Sequence, residues 1–281
     1  MSDREANAIL ELDAASLAIV RTFTDTGFGP WGLALTPDGK RLFTGNFGAG
    51  TVTAIDVETG KQSAQTRIGL KPSYVALSAD GKTLFATGNL TKDVWFVDAA
   101  TLKPIRSLEV GIKPMGVAVS PDGRWLYVGV DGSGKVAKVD LKHDVVLENH
   151  GALLAVTTNI VLTPNGKWLL AAGLENRLVV MNTSSGDVQK VKVGREPAAV
   201  AITPDGSTVF VANYGAGTVS LVDLDSGEAY DEIPVGRGPI DVLTDGRRLI
   251  TCNDQAGSIS VHELSPIQAV ALPPAAPVGG Q

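Results

Sequence analysis

Residues 197–227 read PAAVAITPDGSTVFVANYGAGTVSLVDLDSG, and their reading decides the fold. Three six-residue runs, PAAVAI, TVFVAN and TVSLVD, are separated by TPDGS, YGAG and LDSG. Runs rich in Val, Ile and Phe between Gly, Pro, Asn and Asp clusters are short β-strands joined by tight turns, because those punctuating residues favour the backbone angles of a reversal. Residues 32–69 show the same order with a fourth run: GLALT, RLFTGN, TVTAIDV and SAQTRIG, spaced by DG, NFGAG and ETGK. Such strands form an antiparallel four-stranded meander.

The unit recurs along the chain. Proline opens it at Pro30, Pro72, Pro114, Pro197 and Pro239, with Thr157 in the missing place, at intervals of 42, 42, 43, 40 and 42 residues. The seventh residue of each of the first five units opens a turn, read as TPDGK, SADGK, SPDGR, TPNGK and TPDGS. A second marker, an acidic or amide residue closing an aliphatic run, falls at Asp13, Asp56, Asp98, Asp140, Asn182, Asp223 and Glu263. A period near 42 built from four strands is that of a propeller blade. Small residues at Gly32, Ala34, Gly116, Ala118, Ala199 and Ala201 alternate along the first strands, as a crowded central axis requires.

The expected fold is therefore all-β, a single β-propeller of four-stranded antiparallel blades over residues 1–272, followed by a Pro/Gly-rich tail at 273–281. Before Pro30, AILELDA and AIVRTFT supply only third and fourth strands, giving seven outer hairpins but six inner ones. Seven blades are expected, with six as the alternative. The N-terminal hairpin would close the ring, burying Ile9, Leu10, Leu12, Ile19, Val20 and Phe23, and the tail would add a poor inner strand beside it.

PMGVAVSPDGRWLYVGV at 114–130 and the stretch quoted first resemble the YVTN-type repeat of bacterial and archaeal propellers, the YncE-like, surface-layer-like and lactonase-like proteins. The resemblance covers almost the whole chain and implies that the first strand of each blade lines an axial channel. It does not imply one chemistry, since sugar-lactone hydrolases, antibiotic lyases, subunits of redox enzymes and plain binding modules share related propellers.

Composition narrows the function classes. With 44% apolar residues the chain can bury a large core, and its net charge of −6 with no basic stripe argues against nucleic acid as a partner. No apolar stretch approaches the roughly 18 residues of a membrane span, and MSDREANAIL has no signal-peptide pattern. A soluble, cytoplasmic monomer is expected, a mature exported form being the alternative. The single Cys excludes internal disulfides and any CxxC pair.

In a propeller, the loops before the first strand and between the second and third strands open on one face, around the channel mouth. The first loop set carries Lys71, Lys113, Arg195 and Arg237, which would focus a positive field on a small anionic ligand. Trp31, Tyr74 and Asn159 depart from the repeat just inside the mouth and would give a small organic ligand an aromatic wall and a polar anchor, with Tyr214 from the second loop set. In that set Asn46, Asn213 and Asn253 read as turn residues in left-handed geometry, whereas Asp131, Glu175 and Asp254 break the pattern. If these three carboxylates converge they could serve as acid and base. No cofactor is evident, and only a divalent cation at the mouth is left open. His143, His150 and His262 are scattered, Cys252 occupies a small-residue position, and GVDGSGKV at 129–136 is a hairpin turn and no phosphate loop.

Two functions follow. One is a module that binds a small anionic or organic ligand, or a partner protein, at the channel mouth. The alternative is an enzyme of lactonase, lyase or isomerase type using Asp131, Glu175 or Asp254.

Overall fold

Short strands alternating with Gly- and Asp-bearing turns fold into seven antiparallel sheets in the computed structural model, which describes residues 1–150, 159–173 and 175–264. Blade 1 holds β1 (Ser2–Asp3), β2 (Ala8–Leu12) and β3 (Ile19–Phe23), and blade 2 holds β4 (Pro30–Leu35), β5 (Arg41–Asn46), β6 (Thr51–Asp56) and β7 (Gln62–Arg67). Blade 3 is β8 (Pro72–Leu77), β9 (Thr83–Gly88), β10 (Asp93–Asp98) and β11 (Pro104–Glu109). In blade 4 come β12 (Pro114–Val119), β13 (Trp125–Val130), β14 (Lys135–Asp140) and β15 (Val145–His150). β16 (Asn159–Leu162), β17 (Trp168–Gly173), β18 (Arg177–Asn182) and β19 (Val188–Lys192) make blade 5. Blade 6 contains β20 (Pro197–Ile202), β21 (Thr208–Asn213), β22 (Thr218–Asp223) and β23 (Glu228–Pro234). Blade 7 contains β24 (Pro239–Thr244), β25 (Arg248–Asn253) and β26 (Ser258–Glu263). The molecule is a seven-bladed β-propeller, so six blades are ruled out; among the described residues blades 1 and 7 have three strands each. No helix among those residues is long and apolar enough to cross a membrane.

The period-2 alternation of a strand sends successive side chains to opposite faces, and here both faces are covered. Along the second strands, one residue faces the preceding blade and the next faces the following one. Leu84 packs with Phe43 of blade 2 while Phe85 packs with Leu126 of blade 4. Tyr127 meets Leu169 of blade 5, Leu170 meets Val209 of blade 6, and Phe210 meets Leu249 of blade 7. First strands of successive blades lie side by side, and close approach is required there: a Cβ on Gly32 would stand 2.5 Å from the Ser73 carbonyl oxygen.

The two sequence markers have distinct jobs. In the turn after the first strand the Ser or Thr hydroxyl donates to the Asp two residues on, as Thr36 does to Asp38 at 2.6 Å and Ser78 to Asp80 at 2.6 Å. Asn165 accepts from Thr163 at 2.7 Å in the same way, so an amide oxygen serves equally well. The proline of this turn nests on the turn glycine of the next blade: Pro121 Cδ would lie 3.1 Å from a Cβ on Gly166, Pro164 Cδ 3.2 Å from one on Gly206, and Pro204 Cδ 3.3 Å from one on Gly246. At the third-to-fourth turn, Asp56 accepts from the Thr59 amide and hydroxyl, and Asn182 accepts from the amides of Ser184 and Ser185.

Closure uses the N-terminal segment. β1 adds a short inner strand to the hairpin, pairing Ser2 with Ile9 and Asp3 with Ala8, and packs against β4. Ala8, Ile9 and Phe23 are buried, the last two beside Ile55 of blade 2. On the other side, the Arg248 guanidinium of blade 7 donates to the Ala14 carbonyl. Leu10 and Leu12 are half-buried, and Ile19 and Val20 are exposed, contrary to the expectation of burial, because β3 is the outermost strand of its blade and its first two residues are left uncovered on both faces. The expected tail strand at 273–281 lies outside the described residues.

A chain beginning at Gly29 loses Ile9 and Phe23 from the blade 1–blade 2 core and leaves the inner faces of blades 2 and 7 open. At about 1.5–3 kcal/mol per buried side chain, its stability in urea denaturation should fall by at least about 3 kcal/mol, and a chain that unfolds at the full-length midpoint would show that the ring closes without the hairpin.

Candidate functional site

On blades 2, 3, 4, 6 and 7 the first strand begins with a buried proline, and on each of these five the preceding residue has the same unusual backbone. Gly29, Lys71, Lys113, Glu196 and Gly238 all have positive φ, between 51° and 69°. Lys71, Lys113 and Glu196 thus adopt a left-handed geometry that L-residues rarely take. A repeated hydrogen bond holds them there: the amides of Phe47, Asn89, Asp131, Tyr214 and Asp254, at the start of each second-to-third loop, donate to those five carbonyls at 2.8–3.1 Å. The two loop sets are therefore one rigid rim.

A glycine column supports the rim. A Cβ on Gly27, Gly194 or Gly236 would stand 2.5–2.6 Å from the side-chain amide of Asn46, Asn213 or Asn253. These asparagines are not left-handed turn residues. They end the second strands in extended geometry, are buried, and each reaches across to two hydroxyls of the third strand: Thr51 and Thr53, Thr218 and Ser220, Ser258 and Ser260. Their role is structural, through cross-strand hydrogen bonds.

The aromatic residues inside the mouth do meet. Trp31 stands beside the Tyr74 phenol and favours its ionised form; the Trp31 ring lies 5.2 Å from that of Phe47, and the Arg4 guanidinium sits 4.2 Å over it. Ser2 donates to the Trp31 carbonyl at 2.8 Å, so β1 lies across this residue. Burial pushes the Tyr74 phenol up to about 12, against the opposing influence of the neighbouring Trp31 indole. Asp241, two residues after its proline, points to the same region. The residue keeps exposed surface, yet protein surrounds the carboxyl, and that burial raises its pKa, against the Val242 amide at 2.9 Å and the nearby amino terminus. From its proline to its turn glycine this unit is two residues shorter than the one at 197–206, which predicts a shortened first strand; β24 nevertheless has six residues, so the two are absent from the turn and not from the strand. Asn159 begins β16 opposite Ala172, its side-chain oxygen buried without a hydrogen-bond partner.

The four rim cations have separate surroundings. Lys71 lies 4.8 Å over the Phe47 ring of the neighbouring blade, and Arg195 donates to the Gly215 carbonyl at 2.7 Å. Lys113 and Arg237 are exposed. The candidate acids also sit in separate loops. Asp131 and Asp254 open short 3₁₀ turns on blades 4 and 7, Glu175 is in left-handed geometry on blade 5, and Tyr214 reaches Asp254 at 3.5 Å. Among the described residues, no group of three or more His, Cys, Asp or Glu is placed to hold a metal ion. Cys252 is half-buried and its thiol is pushed up to about 11 by burial and by Asp241.

Two residues before the prolines, the position of Arg195 and Arg237 on blades 6 and 7 is held on blades 2, 3 and 4 by Phe28, Leu70 and Ile112, apolar members that the proline spacing alone does not single out. The three apolar members are 63%, 52% and 58% exposed, and Leu90 beside them is 52% exposed. Aligning the units on the glycine before this position would have revealed them.

A family model described as a YncE-like β-propeller matches residues 12–272. No curated protein matches the chain in sequence. Among solved structures, Kuenenia stuttgartiensis hydrazine synthase superposes with a TM-score of 0.84 at 20% identity, covering 94% of this chain and 91% of that one. The β-propeller domain of Myceliophteria thermophila Cps50 (Swd1) gives 0.78 at 14% identity over 92% and 91%. A functionally unknown protein from Desulfotomaculum acetoxidans gives 0.79 at 16% over 94% and 91%. At these identities the likeness is one of fold.

Tyr74 sits under Trp31 and Tyr127 in the core, both with phenols pushed up to about 12 from 10.0. A folded-state pKa above the unfolded one stabilises fully below the unfolded value and is lost as pH rises through the folded one. Spectrophotometric titration should therefore show two late phenols, stability falling between about pH 10 and 12, and one late phenol remaining in Tyr74→Phe. Ordinary ionisation of Tyr74 would mean that it is not enclosed beneath Trp31.

Proposed function

The chain belongs to the YncE-like β-propeller family, and with that membership as premise we propose that it is a binding module whose loop-bearing face holds a segment of a partner protein. The observation that carries this reading is the apolar column on the rim. Phe28, Leu70 and Ile112 occupy one repeat position on three successive blades, each more than half exposed. Isolated exposed apolar residues are ordinary, but an arc of three on a rigid frame is the composition of an interface. Lys71 and Lys113 stand next to two of them in sequence, and Arg195 and Arg237 continue the column on blades 6 and 7. Apolar burial would supply the affinity, and the cations would orient a segment carrying acidic residues among its apolar ones.

This partner fits the rim better than a small anion does, because Lys71 and Arg195 already lie along separate parts of it. The lactonase, lyase or isomerase reading needs carboxylates in one cavity, and Asp131, Glu175 and Asp254 stand on three different blades with no shared partner among the described contacts.

Selection of a random peptide library on the immobilised protein tests the proposal. Enriched peptides should interleave Asp or Glu with large apolar residues, and their binding should weaken with salt. A variant with Phe28→Ser, Leu70→Ser and Ile112→Ser should keep the wild-type melting temperature and bind at least tenfold more weakly. Changing Lys71, Lys113, Arg195 and Arg237 to Gln should flatten the salt dependence. Absence of enrichment, or affinity indifferent to both sets, overturns the reading.

A further inference from the structure

On the face opposite the rim, a cleft of about 280 Å³ opens between blades 4 and 5. Its floor is Lys138, the fourth residue of β14, whose side chain points toward the following blade. In other blades that register is apolar: Ala54, Phe96, Val180 and Leu221 each belong to the core shared with the next blade. Lys138 is only 9% exposed. A lysine in such a place forgoes core packing and pays for desolvation, so its presence calls for something the apolar residue could not supply.

The surroundings show a cation short of negative charge. Lys138 Nζ donates to the Thr183 carbonyl of blade 5 at 2.8 Å and lies 4.4 Å over the Trp125 ring and 5.6 Å from that of Tyr127. No carboxylate oxygen among the described residues lies within 4 Å of it. An ammonium has three N–H donors, and one is used. The second cation, Arg124, sits 4.5 Å over the same Trp125 ring and 3.9 Å from Asp140. Asp122 lines the cleft as well; its Oδ1 accepts from Ser120 and from the Arg124 amide, which holds the ionised carboxylate on its own turn, outside ion-pair distance of Lys138 Nζ. Asn165, also on the wall, spends its Oδ1 on Thr163 and the Lys167 amide, which leaves its NH₂ as a donor. Burial, and then Arg124, hold the Lys138 ammonium below the usual lysine pKa, with Asp122 opposing.

We infer that this cleft is a second binding site, distinct from the rim, that takes a small organic anion whose carboxylate or phosphate group pairs with Lys138 while its body lies along Trp125 and the turn of blade 5. The size admits more than an inorganic ion, and the aromatic floor favours a flat or apolar body over a fully hydrated one.

Calorimetric titration of the full chain with benzoate, phenyl phosphate and inorganic phosphate, at constant ionic strength, tests this. Benzoate or phenyl phosphate should bind, and the preferred one identifies the anionic group. In Lys138→Met the affinity should drop at least tenfold, while the melting temperature stays at or above that of the wild type, because methionine suits an otherwise apolar register. In the wild type, the bound anion should protect Lys138 from amine acylation read by peptide mass spectrometry and leave Lys40 unprotected. The inference is overturned if none of the three probes binds, if binding is indifferent to Lys138→Met, or if Lys138 labelling is unaffected by the anion. A Lys138→Met protein that melts well below the wild type and binds nothing would make Lys138 an inter-blade tie to Thr183.

Discussion

Among the described residues, no sheet has a core of its own. A four-stranded sheet with two apolar faces must find a partner for each, and the only partners available are the sheets before and after it. The pairs Leu84 and Phe85, Leu126 and Tyr127, and Leu169 and Leu170 make this concrete, one member serving each neighbour. A linear stack would leave two faces in water. Joining the first blade to the last removes both, which is why the hairpin at Ala8–Phe23 and the Arg248–Ala14 contact matter more than their size implies.

Because the cores lie between blades, the loops at the mouth are free of packing duties and are shaped by hydrogen bonds instead. On five blades one amide-to-carbonyl bond keeps a left-handed residue at the same place whether it is Gly29, Lys71 or Glu196. The frame thus tolerates different side chains at little structural cost. Apolar residues on blades 2–4 and arginines on blades 6 and 7 can occupy equivalent positions without altering the ring.

The architecture was legible in the sequence because its determinants repeat: prolines near 42-residue spacing, the turn aspartates, and period-2 apolar runs. Exposure on the closing hairpin was not, since Ile19 and Val20 carry the same composition as a buried strand and only their outermost position exposes them. The asparagines were read as structural, but for the wrong geometry: Asn46, Asn213 and Asn253 act through hydroxyls seven residues on, a relation that strand register creates. At the mouth, Trp31 and Tyr74 stood out as departures from the repeat and do pair. The candidate acids stood out equally, yet a one-dimensional period says nothing about the angle between blades and so does not tell whether loops converge. Lys138 is visible as a lysine in an aliphatic column of third strands, but its meaning depends on Trp125 and on Thr183 of the next blade, which only inter-blade packing brings beside it.

The nesting of each turn proline on the glycine of the next blade runs in one direction around the ring, from Pro121 to Gly166, Pro164 to Gly206 and Pro204 to Gly246. Every blade therefore presents unlike surfaces to its two neighbours, a head and a tail. In assemblies of separate subunits such heterologous contacts either close into a ring or grow without end, depending on the rotation per step. Covalent linkage and a step near one-seventh of a turn choose the ring here. The same polarity means that two partly opened molecules would offer each other matching head and tail surfaces, so that intramolecular closure and intermolecular exchange draw on one contact and differ only in which copy supplies it.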